Sequence, residues 1–427
     1  MLSRKDFLQN SLLAATGFVA SGFQFSSENQ VLLPLNIPEI PSDKLAEDEG
    51  FWKEVRSQFS IGNEMIYFNY GNVSPQPKTV QAYWTELRDF ANEGPSINLR
   101  QRMDEQRELL RSRMAKWLNI SKEELAFNRN ATEGLSNIIF GLPLEKGDEV
   151  IVSQYDYPYV LNAWKQREKR DGIALKWADF ELPSPHKKTI INAYKNQITS
   201  QTKLMHITQV INWNGEVLPV KDLVELAHEH TIETLVDGAH APGNLTLDLA
   251  DLKSDYYAAS LHKWMFAPFG TGFLVVAKEK ISKIWPLMAA YESISNDIKK
   301  FETLGTRDFT AEIAINAALD FEEKITTEMK SNRLHYLRKL TMELLSKNSA
   351  IQFFTSEKRE ASNGMFCIGL KGQDASEIYA ELMKKKIQTS AVKVGKINGV
   401  RVSPAIFTSL DEIHLLVDSI NDLTARK

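Results

Sequence analysis

Short apolar segments alternate with helical patterns between residues 131 and 277, and this alternation restricts the fold more than any other feature. In "ATEGLSNIIFGL", Leu135, Ile138, Ile139 and Leu142 recur at the spacing of one helix face, and "VKDLVELAHEH" repeats that spacing. The apolar segments are "KLMHITQVI", "ETLVDG", "DYYAAS" and "TGFLVVA". Strands alternating with helices of this length predict an α/β fold with a mostly parallel sheet covered on both faces.

Polar side chains follow two of these predicted strands. Asp237 ends "ETLVD", and Ser260 ends "DYYAAS", with His262 and Lys263 directly after it. Ligands collect at the carboxyl ends of parallel strands, so we expect Asp237 and Lys263 to lie in one crevice. Lys263 precedes the apolar stretch "WMFAPF". Because an ammonium group is costly to remove from water, this setting favours a neutral, reactive amine over an ordinary surface lysine.

The start of the striped helix adds a third feature. Ala131, Thr132 and Glu133 occupy its first turn, where unpaired backbone N–H groups and the helix dipole favour a bound phosphate. The same residues also suit a plain helix cap. Taken with the lysine and the acid, they describe a site for a heteroaromatic phosphate ester that the lysine binds as an imine.

Six motifs in one order resemble the class V aminotransferase superfamily of pyridoxal-phosphate (PLP) enzymes, in the isopenicillin N epimerase-like and cysteine desulfurase-like branch. The resemblance extends from about residue 62 to residue 424. The motifs are "ATEGLSN", "VIVSQYDYPYVLNAW", "LVDGAHAPG", "SLHKWMFAPFGTG", "LGTRDFT" and "VRVSPAIFTSLDEI". It implies a fold-type I PLP-dependent transferase with a smaller α+β C-terminal domain, PLP as cofactor, an amino-acid substrate and a homodimer.

The resemblance also implies a role for each matched residue. Lys263 corresponds to the Schiff-base lysine, Asp237 to the partner of the pyridine nitrogen, and His240 to the residue that hydrogen-bonds the phenolic oxygen. The remaining cofactor residues are Ala131, Thr132, Glu133, Ser260 and His262 around the phosphate, Tyr157 on the ring, Gln209 beside it, and Thr306 on the phosphate of the neighbouring subunit. The substrate side comprises Arg401, which binds the carboxylate, with Arg307 and Asn72. Tyr157 as a core aromatic and Arg401 as a surface arginine are the alternative interpretations.

The predicted reaction begins with removal of the Cα proton of an amino acid or amino-acid derivative by Lys263. Transamination or a lyase reaction is expected, because no second base for the opposite face is evident; an isopenicillin N epimerase-like epimerase or racemase and a non-catalytic PLP-binding sensor are the alternatives. The segment "KKKIQTSAVKVGKINGVR" lacks the cysteine that desulfurases use, and the single cysteine, Cys367, lies in a predicted strand. A nicotinamide-dependent oxidoreductase is disfavoured, since no G-x-G-x-x-G turn follows a first strand.

The N-terminal region differs from the rest of the chain. Residues 1–30 have the order of an export signal, and Ser3 to Leu8 resemble the twin-arginine motif with lysine in place of the second arginine. Export to the periplasm is the expectation and a cytoplasmic enzyme the alternative. The predicted organisation continues with a linker and arm (31–74), a large PLP-binding domain (75–305) and a small C-terminal domain (306–427).

Composition excludes several classes of function. A net charge of −4 gives no support for a nucleic-acid partner, and one cysteine is too few for a disulfide framework or a cysteine-rich metal site. No apolar run is long enough to predict a membrane span.

Overall fold

A seven-stranded sheet forms the centre of the fold in the computed structural model, which describes residues 35–184 and 186–425. The strands of the chain are β1 (Ile66–Tyr67), β2 (Leu125–Asn128), β3 (Glu149–Ser153), β4 (Ala174–Ala178), β5 (Thr202–Thr208), β6 (Glu233–Asp237), β7 (Tyr256–Ser260), β8 (Gly272–Val276), β9 (Ile351–Phe353), β10 (Phe366–Leu370), β11 (Ile387–Gln388), β12 (Ser390–Val394) and β13 (Ile397–Val402). The central sheet has the order β2-β8-β7-β6-β5-β3-β4. Only β8 runs antiparallel to its neighbours, so the predicted mostly parallel sheet is confirmed.

Helices cover both faces of this sheet. The α-helices are α1 (Ser42–Leu45), α2 (Glu49–Ser57), α3 (Lys78–Glu93), α4 (Pro95–Ile97), α5 (Met103–Leu118), α6 (Ala131–Gly141), α7 (Pro158–Asp171), α8 (Lys187–Lys195), α9 (Val220–Glu229), α10 (Leu249–Leu252), α11 (Thr310–Ile313), α12 (Ile315–Lys324), α13 (Thr327–Leu345), α14 (Ala375–Lys384) and α15 (Leu410–Ala425). Alternate residues of β7 belong to different apolar clusters: Tyr257 packs with α5, α8 and α9, whereas Tyr256 packs with α6 and α7. A strand buried on both faces explains why "DYYAAS" shows no polar alternation.

The C-terminal part of the chain contains a second, antiparallel sheet of order β12-β13-β10-β9. Its apolar side packs against α13, α14 and α15, with Leu337, Leu382 and Leu416 in the shared core. This arrangement has the α+β character that was predicted for the C-terminal region. Residues 37–184 and 186–425 form one compact unit, and the predicted boundary near residue 305 stays a prediction.

Two further sequence-based expectations concern the N-terminal export signal and membrane-spanning helices. The predicted export signal, residues 1–30, lies outside the described residues. Within residues 35–184 and 186–425, no helix is both long and apolar enough to cross a membrane.

Candidate active site

The carboxyl ends of β6 and β7 lie side by side, and they bring the predicted acid and lysine into one crevice. Asp237, the last residue of β6, is paired with Ala258 of β7 in parallel register. Lys263 follows in the connection between β7 and β8. Because β8 runs antiparallel to β7, that connection stays at the carboxyl edge of the sheet. The predicted proximity of the two strand ends is therefore confirmed.

The amine of Lys263 lies in the crevice at the carboxyl edge of the sheet, where the residue as a whole is partly exposed. Its Nζ is 3.0 Å from His240 Nε2. Desolvation lowers the pKa of Lys263 to about 8, an effect that Asp237 opposes and Arg401 reinforces. Burial also lowers the pKa of His240 well below its usual value, so the imidazole is neutral. A larger fraction of this amine is therefore neutral and nucleophilic near neutral pH than of an ordinary lysine.

The shifted pKa of Lys263 predicts the pH dependence of its reactions. Only the neutral amine attacks an aldehyde, so the rate of labelling at Lys263 by PLP and borohydride should rise as pH passes through about 8. An unperturbed lysine would show this rise near its ordinary pKa of about 10.4. Peptide mapping after a short pulse at each pH measures the midpoint, and a midpoint above pH 10 would contradict the desolvated environment.

Asp237 is held by the backbone that follows it, and a second buried acid lies nearby. Its Oδ1 accepts a hydrogen bond of 2.9 Å from the Ala239 N–H, and burial raises its pKa. Asp156, which the sequence reasoning missed, accepts bonds of 2.7 Å from Ser153 N–H and from the Thr208 hydroxyl. Thr208 pairs with Asp237 in register, so Asp156 joins the ends of β3 and β5 beside the site. The sequence signal for Asp156 was its position directly before Tyr157, within one of the matched motifs.

The first turn of α6 faces the end of β7, as expected for a phosphate-binding helix terminus. Ala131 N–H donates a 3.0 Å bond to Ser260 Oγ, which places these two predicted residues in contact. Glu133 is buried, and its carboxylate binds the backbone and guanidinium of Arg129. Thr132 is partly exposed beside it. The Glu133 N–H donates a 2.9 Å bond to the Asn130 side chain, so this turn has a side-chain cap as well as the helix dipole that favours an anion.

Gln209 and His262 occupy the same edge of the sheet. The Gln209 side-chain oxygen accepts a 2.6 Å bond from the Tyr257 hydroxyl, and its backbone N–H bonds the Asp237 carbonyl at 2.8 Å. His262 Nδ1 lies 3.0 Å from the Thr271 carbonyl, to which it donates. That bond leaves Nε2 of His262 as the ring nitrogen available to a ligand.

Arg401 reaches the site from β13 and is not a surface residue, since its relative exposure is 7%. One terminal nitrogen donates a 2.7 Å bond to the Asn212 carbonyl, and the other donates a 2.6 Å bond to Asn69 Oδ1. The Nε atom is buried and has no partner among the described residues. A guanidinium fixed at its two ends with an unused donor is suited to binding a carboxylate.

Asn69, rather than the predicted Asn72, contacts this arginine. Asn72 is exposed, and its backbone N–H donates a 3.0 Å bond to the Asn69 carbonyl. Asn69 forms a bridge with Ser403, which brings the N-terminal arm beside β13. The pattern "YFNYGN" contains two asparagines at the turn, and only the long-range pairing with Ser403 distinguishes them.

Tyr157 is half-buried at the start of α7 and stacks on Tyr159 with ring centroids 5.3 Å apart. Its hydroxyl lies within electrostatic reach of Asp237 and Arg401, although burial is the larger influence and raises its pKa. The structure therefore places Tyr157 with the other site residues, and its contact with a cofactor ring stays a prediction.

Thr306 and Arg307 are not brought together with Lys263 in the single chain. Thr306 is exposed, and its hydroxyl accepts a hydrogen bond from Arg100. Arg307 donates a 2.9 Å bond to Glu312 and a 3.0 Å bond to the Glu302 carbonyl. These bonds fix the Arg307 guanidinium against Glu302 and Glu312, and its predicted substrate contact stays a prediction.

Cys367 is buried in β10, opposite Arg401 in the register of the sheet. Burial raises the pKa of its thiol well above the usual range. The prediction that this cysteine packs in a strand is confirmed, and such a thiol is not a mobile nucleophile. The described residues also contain no cluster of three or more acidic, histidine or cysteine side chains able to hold a metal ion.

These residues fit the cofactor that the sequence motifs imply. A desolvated amine, a buried carboxylate and the N-terminus of an 11-residue helix lie at one edge of the sheet, and they match the aldehyde, ring nitrogen and phosphate of PLP in chemistry. Arg401, whose Nε has no partner among the described residues, adds a buried cationic donor for a second anion besides the phosphate, such as a carboxylate.

Comparison with known proteins gives consistent matches over most of the chain. The family model described as aminotransferase class-V matches residues 66–416. Isopenicillin N epimerase of Streptomyces clavuligerus is 27% identical over 392 residues, which cover 87% of this chain and 98% of that protein. A probable cysteine desulfurase of Pyrococcus abyssi is 25% identical over 401 residues, covering 87% and 97%.

A solved structure shares the fold. The C-DES variant with glycine covalently linked to its PLP cofactor superimposes with a TM-score of 0.75 at 20% identity, covering 85% of this chain and 98% of that one. At this identity the likeness concerns the fold, and it confirms the fold class predicted from the sequence.

Proposed function

The chain belongs to the class V aminotransferase family, and from this premise we propose that it is a PLP-dependent enzyme acting on an amino acid or amino-acid derivative, with Lys263 as the cofactor-binding residue and general base. The observation that carries the proposal is the desolvated Lys263 amine, 3.0 Å from His240 and within electrostatic reach of Asp237 and Arg401. Perturbed titratable groups gathered in one crevice are characteristic of catalytic sites.

Each residue has a definite task in this reaction. PLP supplies the electron sink that accepts the electron pair left when a Cα proton departs. Arg401 binds the substrate carboxylate through its forked guanidinium, and this fixes the Cα–H bond relative to Lys263. Lys263 Nζ, as a neutral amine, takes the proton. Asp237, whose carboxylate accepts a bond from the Ala239 N–H, would be the group that keeps the pyridine nitrogen protonated when PLP is bound.

We propose that the reaction is a transamination or a lyase reaction. Among the described residues gathered at this edge of the sheet, Lys263 is the one amine. Inversion at Cα by two bases would need a second group, on the face of the substrate opposite Lys263, to return the proton. The second candidate is an epimerase or racemase, which the 27% identity with isopenicillin N epimerase over 98% of its length favours. Persulfide chemistry at Cys367 is disfavoured by its burial.

A substrate screen on the cofactor-loaded protein tests the proposal. PLP should give a visible absorbance band that borohydride removes, and a cognate amino acid should change that band. Keto acid would indicate transamination, sulfide or ammonia a lyase, and loss of optical activity an epimerase. A protein that takes up PLP but turns over none of the twenty amino acids or their D-isomers would support the alternative of a PLP-binding sensor. A protein that takes up no PLP would refute the proposed function.

We further propose that the active form is a homodimer. The segment 285–291 exposes four large apolar side chains: Trp285, Leu287, Met288 and Tyr291. Contiguous exposed apolar surface typically marks an interface, and the exposed Thr306 agrees with a residue that faces a second subunit. Sedimentation equilibrium should give twice the chain mass, and Trp285→Glu should shift the protein toward monomer. A wild-type monomer would contradict this assembly.

For location, we propose export of the folded enzyme through the N-terminal segment, with a cytoplasmic enzyme as the alternative. A twin-arginine-like signal suits a PLP enzyme because folded proteins use that route, so the cofactor can bind before export. Cell fractionation and N-terminal sequencing test this, and full-length protein confined to the cytoplasm would contradict it.

A further inference from the structure

Trp264, the residue after Lys263, is buried among apolar residues but makes one polar side-chain contact, with His240. Its side chain is 1% exposed, and its indole Nε1 lies 3.3 Å from His240 Nδ1. An indole nitrogen only donates hydrogen bonds, so His240 Nδ1 must accept this one. A neutral imidazole that accepts at Nδ1 carries its own proton on Nε2. Trp264 therefore determines which tautomer of His240 is present.

The tautomer of His240 in turn determines how it interacts with Lys263. His240 Nε2 and Lys263 Nζ are 3.0 Å apart. With its proton on Nε2, His240 donates to Lys263, and only the unprotonated amine has a lone pair to accept this bond. If Lys263 were an ammonium group, both it and the His240 Nε2–H would be donors, so no hydrogen bond could form between them. A buried donor would then be left unpaired, which is costly.

A buried ion pair holds the backbone of Trp264 in place. Lys330 Nζ donates a 3.0 Å bond to the Trp264 carbonyl and pairs with Glu322; the side chains of Lys330 and Glu322 are 0% and 3% exposed. Gly243 packs against the same carbonyl so closely that a Cβ there would lie 2.5 Å from it. These contacts fix the backbone from which the indole extends toward His240.

The turn after Trp264 is restrained as well. Phe266 adopts a left-handed conformation with φ of 59°, which is uncommon for a non-glycine residue. Its ring packs edge-on against Phe59 and Phe321, with centroids 5.3 and 5.8 Å away. Such a conformation persists only where the surroundings impose it. Lys263 and Trp264 are thus presented by a turn of fixed geometry.

We propose that Trp264 is a positioning residue, which holds His240 as the Nε2–H tautomer and thereby presents Lys263 as a free amine. This rests on the proposed function in one respect, namely that Lys263 is the reactive amine.

Other charged groups near Lys263 and His240 also influence the protonation of these two side chains. Asp237 favours the charged form of Lys263, whereas Arg401 disfavours it. His240 experiences Lys263, Arg401 and His262, all of which favour its neutral form, in addition to burial. None of these groups selects between the two neutral tautomers of His240 through a hydrogen bond to Nδ1. That selection is left to Trp264.

The tautomer can be measured in the full-length protein labelled with ¹⁵N-histidine before PLP is added. The wild type should show His240 with a protonated Nε2 and an unprotonated Nδ1, assigned by the signal lost in His240→Gln. Trp264→Phe keeps an aromatic ring at this position but removes the N–H donor, so a population with protonated Nδ1 should appear. Trp164→Phe is the matched control, because Trp164 is equally buried and its Nε1 has no partner among the described residues.

A wild-type His240 protonated on Nδ1 would overturn the proposal, whether or not Trp264→Phe folds. So would an unchanged His240 signal in a folded Trp264→Phe protein. As a second readout, the pH midpoint of Lys263 labelling should rise by about 0.5 to 1 unit in Trp264→Phe and stay unchanged in Trp164→Phe. Because the tautomer is observed without cofactor or turnover, failure of the proposed enzymatic function would leave this result interpretable.

Discussion

Substitution of Lys263 by alanine is expected to lower kcat with the cognate amino acid by at least about 10²–10⁴-fold, the usual contribution of a positioned general base. The loss should exceed that of any other single substitution, because the same side chain also binds the cofactor. Borohydride reduction of the PLP-loaded wild type should fix the cofactor on the peptide that contains Lys263, and Lys263→Ala should show no such label.

The control for this experiment is Lys278→Ala, since Lys278 is an exposed lysine only 15 positions (278 − 263) further along the chain. That variant should retain wild-type kcat and the labelled peptide. Partial rescue of Lys263→Ala by a small primary amine would identify the missing group as a base and not as a structural element. A variant that keeps kcat within tenfold of wild type would exclude Lys263 as the base.

Substitution of Lys330 by methionine is expected to reduce the free energy of unfolding by about 3–5 kcal/mol. The methionine fills the volume but leaves the Glu322 carboxylate buried beside the Trp264 carbonyl without its cation. Burying an uncompensated charge is costly, whereas exchanging both partners for apolar groups is often tolerated. The double substitution Lys330→Met with Glu322→Leu should therefore recover at least half of the lost stability.

Urea unfolding followed by tryptophan fluorescence measures these differences as shifts of the midpoint. Lys339→Met is the matched control on the same helix, because its side chain is 75% exposed and its pair with Glu343 is solvated. Its effect should stay within about 0.5 kcal/mol. A loss below about 1 kcal/mol in Lys330→Met would show that the buried pair contributes little, and equal losses in the single and double variants would exclude the unpaired carboxylate as the cause.

Much of the fold and part of the site could be predicted because local patterns encode them. Apolar runs of strand length and helical stripes with a 3.6-residue repeat give a parallel sheet, and a parallel sheet places successive strand ends at one edge. Asp237, Ser260 and Lys263 follow such strands, so their proximity was predictable. The first turn of α6 was predictable from the helical stripe of apolar residues that follows it, whereas the strand before it, β2, was not among the predicted strands.

The other contacts of the site join segments far apart in sequence, and no local pattern encodes them. Asn69 and Arg401 are separated by 332 positions, yet their hydrogen bond decides which asparagine of the arm lies at the site. Arg307 carries the same charge as Arg401, but the Glu312 carboxylate, 5 positions further along the chain in α11, accepts its hydrogen bonds. The motif alone could not separate these two arginines, because the difference lies in what packs around each guanidinium.

The sequence by itself determined the order of strands and helices, the residues at the strand ends, and the family to which the chain belongs. Tertiary packing alone decided that Lys263 is desolvated, that Arg401 keeps a buried unpaired donor, and that Trp264 contacts His240 while Lys330 secures its backbone. The physical reason is that periodicity depends on neighbours in the chain, whereas the protonation state of a group depends on the water and charge around it, which only the folded arrangement specifies.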